Sequence, residues 1–204
     1  SNMQEIAEML ATAFAIGLTG ALAPGPTLLA TVNSSLQEGW KAGPKVAAGH
    51  ALVEVLIFLV IVGGLASVMQ QHTRGISIAG GLALIAFGVM TAIGSRSAVL
   101  KGPEGKASGS AFLAGAVTSA ANPYFWIWWL SVGSAFLLSG LNSGLIMAAA
   151  FIVGHWGADF GWYTLVSGSL DRGRSVLSQG SYRSILGICG AFLICFGIYF
   201  LSQA

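Results

Sequence analysis

The chain has 204 residues, of which 55% are hydrophobic and only 8% are charged, and its net charge is +2. Soluble globular domains carry about 25% charged residues, so the composition excludes an ordinary soluble domain. A transmembrane helix needs roughly 20 mostly apolar residues. We predict one all-α polytopic membrane domain over residues 1–204, with six transmembrane helices in the apolar runs 5–34, 44–68, 75–94, 111–139, 144–167 and 183–202.

The first apolar run is interrupted near its middle by Pro24, Gly25 and Pro26. Proline lacks a backbone donor and does not fit a helix interior, so we predict a broken helix. In hydrocarbon, a broken helix persists only where it faces protein or a cavity. The half-helix that begins near Thr27 would present free N–H groups and a positive dipole end, which suit a substrate carboxylate. A kink that only shapes packing is the alternative.

The second run contains the sequence Gly-His-Ala-Leu-Val-Glu, which places His50 and Glu54 on one helix face. Counting about 1.5 Å per residue from the start of the run places Glu54 near the membrane midplane. A charged residue at the centre of a membrane helix costs about 2.5–3.5 kcal/mol on insertion scales, so such residues are functional candidates.

The hydrophilic segment 95–110, which follows the third run, is predicted to be a cytoplasmic linker. Lys and Arg are enriched in cytoplasmic loops, and this bias sets membrane orientation. Of the nine basic residues, only Arg74 falls on the opposite side, so we predict that both termini lie outside. The basic loops are interpreted as a topology signal and lipid-headgroup contact, not as a nucleic-acid surface. They contain Lys41, Lys45, Arg96, Lys101, Lys106, Arg172, Arg174 and Arg183.

The fourth run is interrupted by Asn122 and Pro123, so we predict a second broken helix. The Asn122 side-chain amide can both donate and accept hydrogen bonds. Trp126 follows the break closely and is a candidate for a cavity wall, although aromatic residues near span ends usually form interface belts. The predicted substrate-binding residues are Pro24, Gly25, Pro26, Thr27, Asn122, Pro123 and Trp126.

The fifth run repeats the spacing of the second, with His155 and Asp159 in Gly-His-Trp-Gly-Ala-Asp. We expect the two His–carboxylate pairs to meet and to form an ion-coupling site from His50, Glu54, His155 and Asp159. Burial disfavours the charged form of each side chain, so the cluster could hold and release a proton. A cationic amino group or a metal could compete for that proton. The alternative is a buried pair that only fixes helix packing.

The two halves of the chain, residues 3–94 and 111–204, share an ordered set of features. Each half has an odd number of predicted spans, so the second would enter the membrane upside down. This inverted repeat is typical of secondary transporters, with the site near the midplane. The matched features are Phe14 and Gly17 with Phe112 and Gly115, the two breaks, the two His–carboxylate pairs, and Gly81, Phe87 and Gly88 with Gly190, Phe196 and Gly197.

The sixth run contains both cysteines, Cys189 and Cys195. Six residues of helix rise about 9 Å, too far for a disulfide, so we interpret them as packing residues. The third and sixth runs carry small-residue faces that could pack within one subunit or between two, so a homo-oligomer stays open. These faces contain Gly80, Gly81, Gly187 and Gly190.

Three segments together are similar to a known family: GLTGALAPGPTLLATVNSSLQEGWKAGPKVAAGHALVE, GAVTSAANPYFWIWWLSVGSAFL and GHWGADFGWY. Over essentially its whole length the chain resembles the LysE/RhtB family of amino-acid exporters. The resemblance implies a cation-driven exporter in a prokaryotic inner membrane, often oligomeric. It also implies that the residues of both breaks form the site and that Glu54 and Asp159 are intramembrane acids. Many members have lysine after Asn-Pro, where this chain has Tyr124.

The favoured interpretation is a secondary-active efflux transporter for amino acids or related small metabolites, coupled to a proton or cation gradient and without a cofactor. A divalent-cation transporter is the alternative, because two His and two carboxylates could ligate Mn²⁺, Ni²⁺ or Zn²⁺. A membrane enzyme or electron carrier is less favoured, because the sequence shows neither a nucleophile constellation nor paired cysteines on separate helices.

Overall fold

The computed structural model describes residues 2–22, 25–65, 68, 71–98 and 110–204, apart from the side chains of Thr19, Thr73, Phe87 and Ser131. Pro24 and most of the predicted linker 95–110, with Lys101 and Lys106, lie outside these residues.

Every regular element in this part of the chain is helical. A π-helical segment spans Trp129–Gly133, and a 3₁₀ turn spans Arg174–Val176. The α-helices are α1 Met3–Ala21, α2 Pro26–Glu38, α3 Ala42–Val62, α4 Thr73–Ser95, α5 Ala111–Ala121, α6 Pro123–Trp128, α7 Ser134–Ser143, α8 Leu145–Gly173 and α9 Gln179–Ser202.

Both predicted helix breaks are confirmed. The first apolar run forms α1 and α2, and α2 begins with Pro26 in its first turn after Gly25. The fourth run forms α5 and α6, with Asn122 in an extended conformation between them and Pro123 opening α6. Proline is favoured at the first helical position because its missing N–H has no intrahelical partner there. The sequence therefore both ends one helix and starts the next.

Within the part of the chain that the structure describes, four helical stretches are long and apolar enough to cross a bilayer. They carry exposed apolar side chains such as Leu59, Met90 and Leu165. Such a surface suits contact with lipid, because a soluble monomer rarely exposes apolar patches of this extent. The four stretches are Ala42–Val62, Arg74–Ser95, Leu145–Val176 and Gln179–Ser202.

Three helix pairs form the interior: α1 packs along α8, α3 along α5, and α4 along α9. The last pair depends on glycine. A Cβ added at Gly81 would lie 2.8 Å from the Gly197 carbonyl oxygen, and one at Gly88 would lie 2.7 Å from that of Gly190. The α4–α9 contact thus brings two backbones together within one chain at Gly81, Gly88, Gly190 and Gly197.

The ends of four helices, α2, α3, α5 and α8, meet at one end of the molecule. Glu38, at the end of α2, accepts the Ala111 N–H at the start of α5 at 3.2 Å and pairs with Lys45 at 2.7 Å. Ser167, near the end of α8, donates to the Trp40 carbonyl at 2.7 Å. We call this set of contacts the polar end layer. The polar end layer therefore joins helix ends that carry basic residues, among them Lys45 of α3 and Arg172 of α8.

Replacing Gly154 by alanine should lower stability, because a Cβ there would lie 2.5 Å from the Leu10 carbonyl oxygen of α1. Overpacking of this kind costs about 1–3 kcal/mol. Gly161, on the same helix, has nothing within 4 Å of an added Cβ. Gly161→Ala should gain up to about 1 kcal/mol of helix propensity. Thermal denaturation of both variants in detergent checks this, and equal midpoints would contradict the α1–α8 packing.

Candidate functional site

Two helices bring four ionisable side chains together in the protein interior. His50 and Glu54 lie on α3, and His155 and Asp159 lie on α8. His155 Nε2 is 2.8 Å from Glu54 Oε1 and 3.3 Å from Asp159 Oδ2. His50 Nε2 is 3.0 Å from Glu54 Oε1 and 3.5 Å from Asp159 Oδ2. The two pairs singled out in the sequence thus form one unit, which we call the His–carboxylate cluster.

Glu54 is fully buried, and both its oxygens are held by donors. Oε1 accepts the Trp129 indole N–H at 3.2 Å and the His155 Nε2–H at 2.8 Å. Oε2 accepts the Trp156 indole N–H at 2.6 Å. An indole N–H can only donate, so these tryptophans suit a carboxylate acceptor. Glu54 is therefore fixed in position by donors from two other segments of the chain, the π-helical segment and α8.

Asp159 is buried in the same cluster but is held far less firmly. Its Oδ2 has no hydrogen-bond partner among the described residues, although both imidazoles lie within ion-pair distance. Each Nε2 carries at most one hydrogen, and both Nε2 atoms lie closer to Glu54. A buried acceptor without a donor costs about 1–3 kcal/mol. Asp159 Oδ2 can therefore accept a hydrogen bond from an ammonium group or bind another cation.

A chain of polar side chains connects the cluster to the first helix break. His50 Nδ1 lies 2.6 Å from Ser119 Oγ on α5. Ser119 Oγ lies 3.3 Å from Thr27 Oγ1, in the first turn of α2. Ser119 and Thr27 are buried. A change at His50 can therefore reach the start of α2 through two side-chain contacts.

The start of α2 has no side-chain cap. Pro26 has no N–H, and the Leu29 N–H already donates to the Gly25 carbonyl at 3.1 Å. The N–H groups of Thr27 and Leu28 belong to the first turn, which has no intrahelical acceptors. These groups, together with the positive end of the helix dipole, form a setting that attracts an anion.

One cavity of about 970 Å³ contains both features. The start of α2 and the His–carboxylate cluster lie on its wall, together with aromatic side chains of α6 and α9. Exposed residues at the start of α4 and the end of α9, Arg74 and Gln203, also line it, so the cavity reaches the surface there. The described ends of α2 and α5 in the polar end layer do not line it.

The chain matches a known protein family over most of its length. Residues 18–204 match the family described as LysE type translocator. The chain belongs to this family. The translocator is therefore a multi-pass membrane transporter, and the resemblance noted from its motifs is confirmed. No curated protein and no solved structure matches the chain.

The second break of the translocator contributes one residue to the cavity. Asn122 lies on the cavity wall, and its Oδ1 accepts the Tyr124 N–H at 3.1 Å, which caps α6. Pro123 is buried and packs against α4, where a Cβ at Gly80 would lie 3.0 Å from its Cγ. Tyr124, which occupies the position of the family's lysine, lines the cavity.

Trp126, predicted as a cavity wall, has a different position. Its indole N–H donates to the Ala120 carbonyl at 2.8 Å and so joins the two sides of the break. It is not among the described residues that line the cavity, whereas its neighbours Phe125 and Trp128 are. The hydrogen bond across the break thus holds the Trp126 indole outside the cavity lining.

Sequence reasoning missed Trp129, Trp156 and Ser119 as members of the site. Trp129 opens the π-helical segment, and a Cβ at Gly133 would overlap its ring. π-bulges are often found at functional sites because they redirect a side chain. The only signal was the concentration of tryptophans in the fourth and fifth runs, which suggested an interface belt.

The cluster also has a composition that a divalent metal could use. One ligand atom from each of the four side chains lies within 4.8 Å of all the others. Two imidazoles and two carboxylates suit Zn²⁺ or Mn²⁺. Metal-binding histidines are usually oriented by a hydrogen bond at their second ring nitrogen, and the contact of His50 Nδ1 with the Ser119 hydroxyl resembles such a bond.

Proposed function

We propose that this translocator is a secondary-active exporter of amino acids or related small metabolites that carry an amino group and a carboxylate. One observation supports this most strongly. The same cavity contains a buried carboxylate, Asp159, whose Oδ2 has no hydrogen-bond partner among the described residues, and a helix N-terminus at Thr27 without a side-chain cap there. These two features attract opposite charges, as the two ends of a zwitterion require.

The carboxylate of the cargo would bind at the start of α2. The N–H groups of Thr27 and Leu28 would donate to its oxygens, as backbone groups do for anions at helix N-termini. Gly25 lines the cavity beside them without a side chain, so a ligand can approach the backbone closely. Asn122, on the opposite break, would supply an amide N–H to the same group.

The amino group of the cargo would bind at Asp159. An ammonium group has three donors, and Asp159 Oδ2 is a buried acceptor that has no donor among the described residues. Glu54 would act as a fixed neighbour, because its oxygens already accept from Trp129, Trp156 and His155. The charge of the ammonium would also offset the cost of burying two carboxylates close together.

Coupling to a proton or cation gradient would pass through His50 and Ser119. The Ser119 hydroxyl has one hydrogen and two nearby acceptors, the Gly115 carbonyl at 2.7 Å and His50 Nδ1 at 2.6 Å. When His50 gains a second proton, Nδ1 becomes a donor and Ser119 must donate to Gly115. This rearrangement would alter the contact of Ser119 with Thr27 and therefore the carboxylate end of the site.

Replacing Ser119 by alanine should uncouple transport from the gradient. The variant keeps Asp159 and the start of α2 but lacks the hydroxyl between them. In proteoliposomes, we expect cargo exchange without a gradient to persist, while an imposed pH gradient no longer accelerates efflux. Ser134→Ala, which removes another buried hydroxyl, one that donates to the Leu130 carbonyl, serves as the control. Unchanged acceleration in Ser119→Ala would exclude the relay.

Six membrane crossings in two inverted repeats would support alternating access. The pairing of α1 with α8 and of α3 with α5 is what a pseudo-two-fold axis would produce. The glycine contacts agree with such an axis. In the sequence, Gly81 matches Gly190 and Gly88 matches Gly197, so the axis would convert the Gly81–Gly197 contact into the Gly88–Gly190 contact. With the polar end layer in the cytoplasm of a prokaryote, both termini lie outside the inner membrane. The cavity then opens outward, and the polar end layer closes the inner side.

The direct test is efflux of labelled amino acids from proteoliposomes of the purified protein. Vesicles loaded with an amino-acid panel should release one class of cargo when a pH or cation gradient is imposed. The methyl ester of the transported compound lacks the carboxylate, and its des-amino analogue lacks the ammonium group. Both should be transported poorly. Failure of every amino acid in both gradients would contradict the proposal.

A divalent-cation transporter is the second candidate, because the four ligand atoms of the cluster lie within 4.8 Å of one another. The metal would then be the cargo, held by His50, Glu54, His155 and Asp159. Calorimetric titration with Mn²⁺ and Zn²⁺ tests this. Metal binding lost in His155→Ala, with no response to amino acids, would favour the metal over the amino acid.

A further inference from the structure

The wall of the cavity between the cluster and its opening is largely aromatic. Phe125 and Trp128 lie near the cluster, and Phe192, Phe196 and Phe200 follow one another along α9. Ligand pockets of about 300–1,000 Å³ typically bury drug-sized molecules and have such apolar linings. At about 970 Å³ the cavity is large for the charged groups of an amino acid alone.

The cavity also extends far along α9. Its lining runs from Phe192 to Gln203, and eleven residues of helix rise about 16 Å. A cargo as small as glycine would leave most of this apolar wall in contact with water. A cargo with a large apolar side chain would cover it, and burial of apolar surface is a principal source of binding free energy.

The charges on the cavity wall argue against a basic side chain. Among the described lining residues, the only carboxylates are Glu54 and Asp159, and both belong to the cluster. Glu54 is occupied by its own donors, so Asp159 is left for one ammonium group. The remaining charged residue outside the cluster is Arg74, which would repel a second positive charge on the cargo.

We infer that the preferred cargo is an amino acid with an aromatic or large apolar side chain, bound with that side chain against the rings of α9. This inference rests on the proposed function, because it assumes a zwitterion held between Thr27 and Asp159. It adds the class of side chain, which follows from a different part of the cavity.

Binding of five amino acids to the purified protein tests the inference: phenylalanine, tryptophan, lysine, glutamate and glycine. We expect phenylalanine or tryptophan to bind at least about tenfold more tightly than the other three, because even one methylene in an apolar pocket changes selectivity by about this factor. Equal or tighter binding of lysine, glutamate or glycine would overturn the side-chain class but leave the proposed function. Binding of none of the five would overturn both.

A matched pair of variants on α9 locates the effect. Phe192 lines the cavity and is 53% exposed, whereas Ile188 is 55% exposed and does not line it. Phe192→Ala should weaken phenylalanine binding severalfold, and Ile188→Ala should leave it unchanged. Because both side chains are exposed, neither substitution should prevent folding. Equal effects of the two variants, or none from Phe192→Ala, would overturn the assignment of the side chain to this wall.

Discussion

Replacing Asp159 by asparagine is expected to abolish amino-acid transport while the protein still folds. Asparagine has nearly the same shape but no charge, so the ammonium group of the cargo loses its partner. Truncating one side of a buried, hydrogen-bonded charge pair costs about 2–5 kcal/mol. Since about 1.4 kcal/mol corresponds to tenfold in affinity, the dissociation constant should rise at least about thirtyfold.

The folded state should tolerate Asp159→Asn, because Oδ2 of Asp159 has no hydrogen-bond partner among the described residues to lose. Thermal denaturation should therefore show a small shift, while binding and efflux assays show a large loss. Asp171→Asn is the control, since Asp171 lies at the end of α8, pairs with Arg174 at 3.6 Å and is outside the lining of the main cavity. Retained transport in Asp159→Asn would remove this residue from the cargo site.

Replacing Glu54 by glutamine should lower the stability of the folded protein strongly, whereas Asp159→Asn should change it little. The glutamine oxygen can accept from one side, but its NH₂ group would face the remaining donors. Breaking a buried ion pair by altering one partner typically costs about 3–5 kcal/mol. Glu54→Gln should therefore unfold at a markedly lower temperature than Asp159→Asn, or fail to accumulate as folded protein. A smaller loss of stability than in Asp159→Asn would show that Glu54 is not the fixed member of the cluster.

Two tryptophans on α8 test the same role of Glu54 through protein stability, even if the Glu54→Gln variant does not fold. Trp156→Phe removes the 2.6 Å hydrogen bond to Glu54 Oε2 and should cost about 1–3 kcal/mol. The Trp162 indole N–H is buried without a partner among the described residues, so Trp162→Phe should cost less. Thermal unfolding of both variants separates the lost hydrogen bond from the lost ring volume. A larger loss in Trp162→Phe would contradict the assigned contacts.

The sequence predicted those features that depend on local chemistry. Proline at 26 and 123 determines where helices begin, whatever surrounds them. The spacing of His50 and Glu54, and of His155 and Asp159, determines that each pair shares a face. Acidic residues in an apolar run need partners, which is why the meeting of the two pairs could be expected before any coordinates.

Other features depend on how one helix is rotated against another, which local patterns do not encode. Trp129 reaches Glu54 from a π-helical segment, and Ser119 reaches His50 across α3 and α5. An apolar run gives no information about which of several tryptophans turns inward. Trp126 was favoured over Trp129 because it is closer to the break in sequence. The register of the π-helix instead brings Trp129 to the carboxylate.

Cys195 reports directly on whether the cargo binds in the cavity. This cysteine is free, exposed and on the cavity wall, whereas Cys189 is buried. A soluble maleimide should label Cys195, and an amino acid that the protein binds should slow that labelling in wild type but not in Asp159→Asn. Mass spectrometry and Cys195→Ser identify the labelled site. A labelling rate that saturating amino acid leaves unchanged would contradict the account.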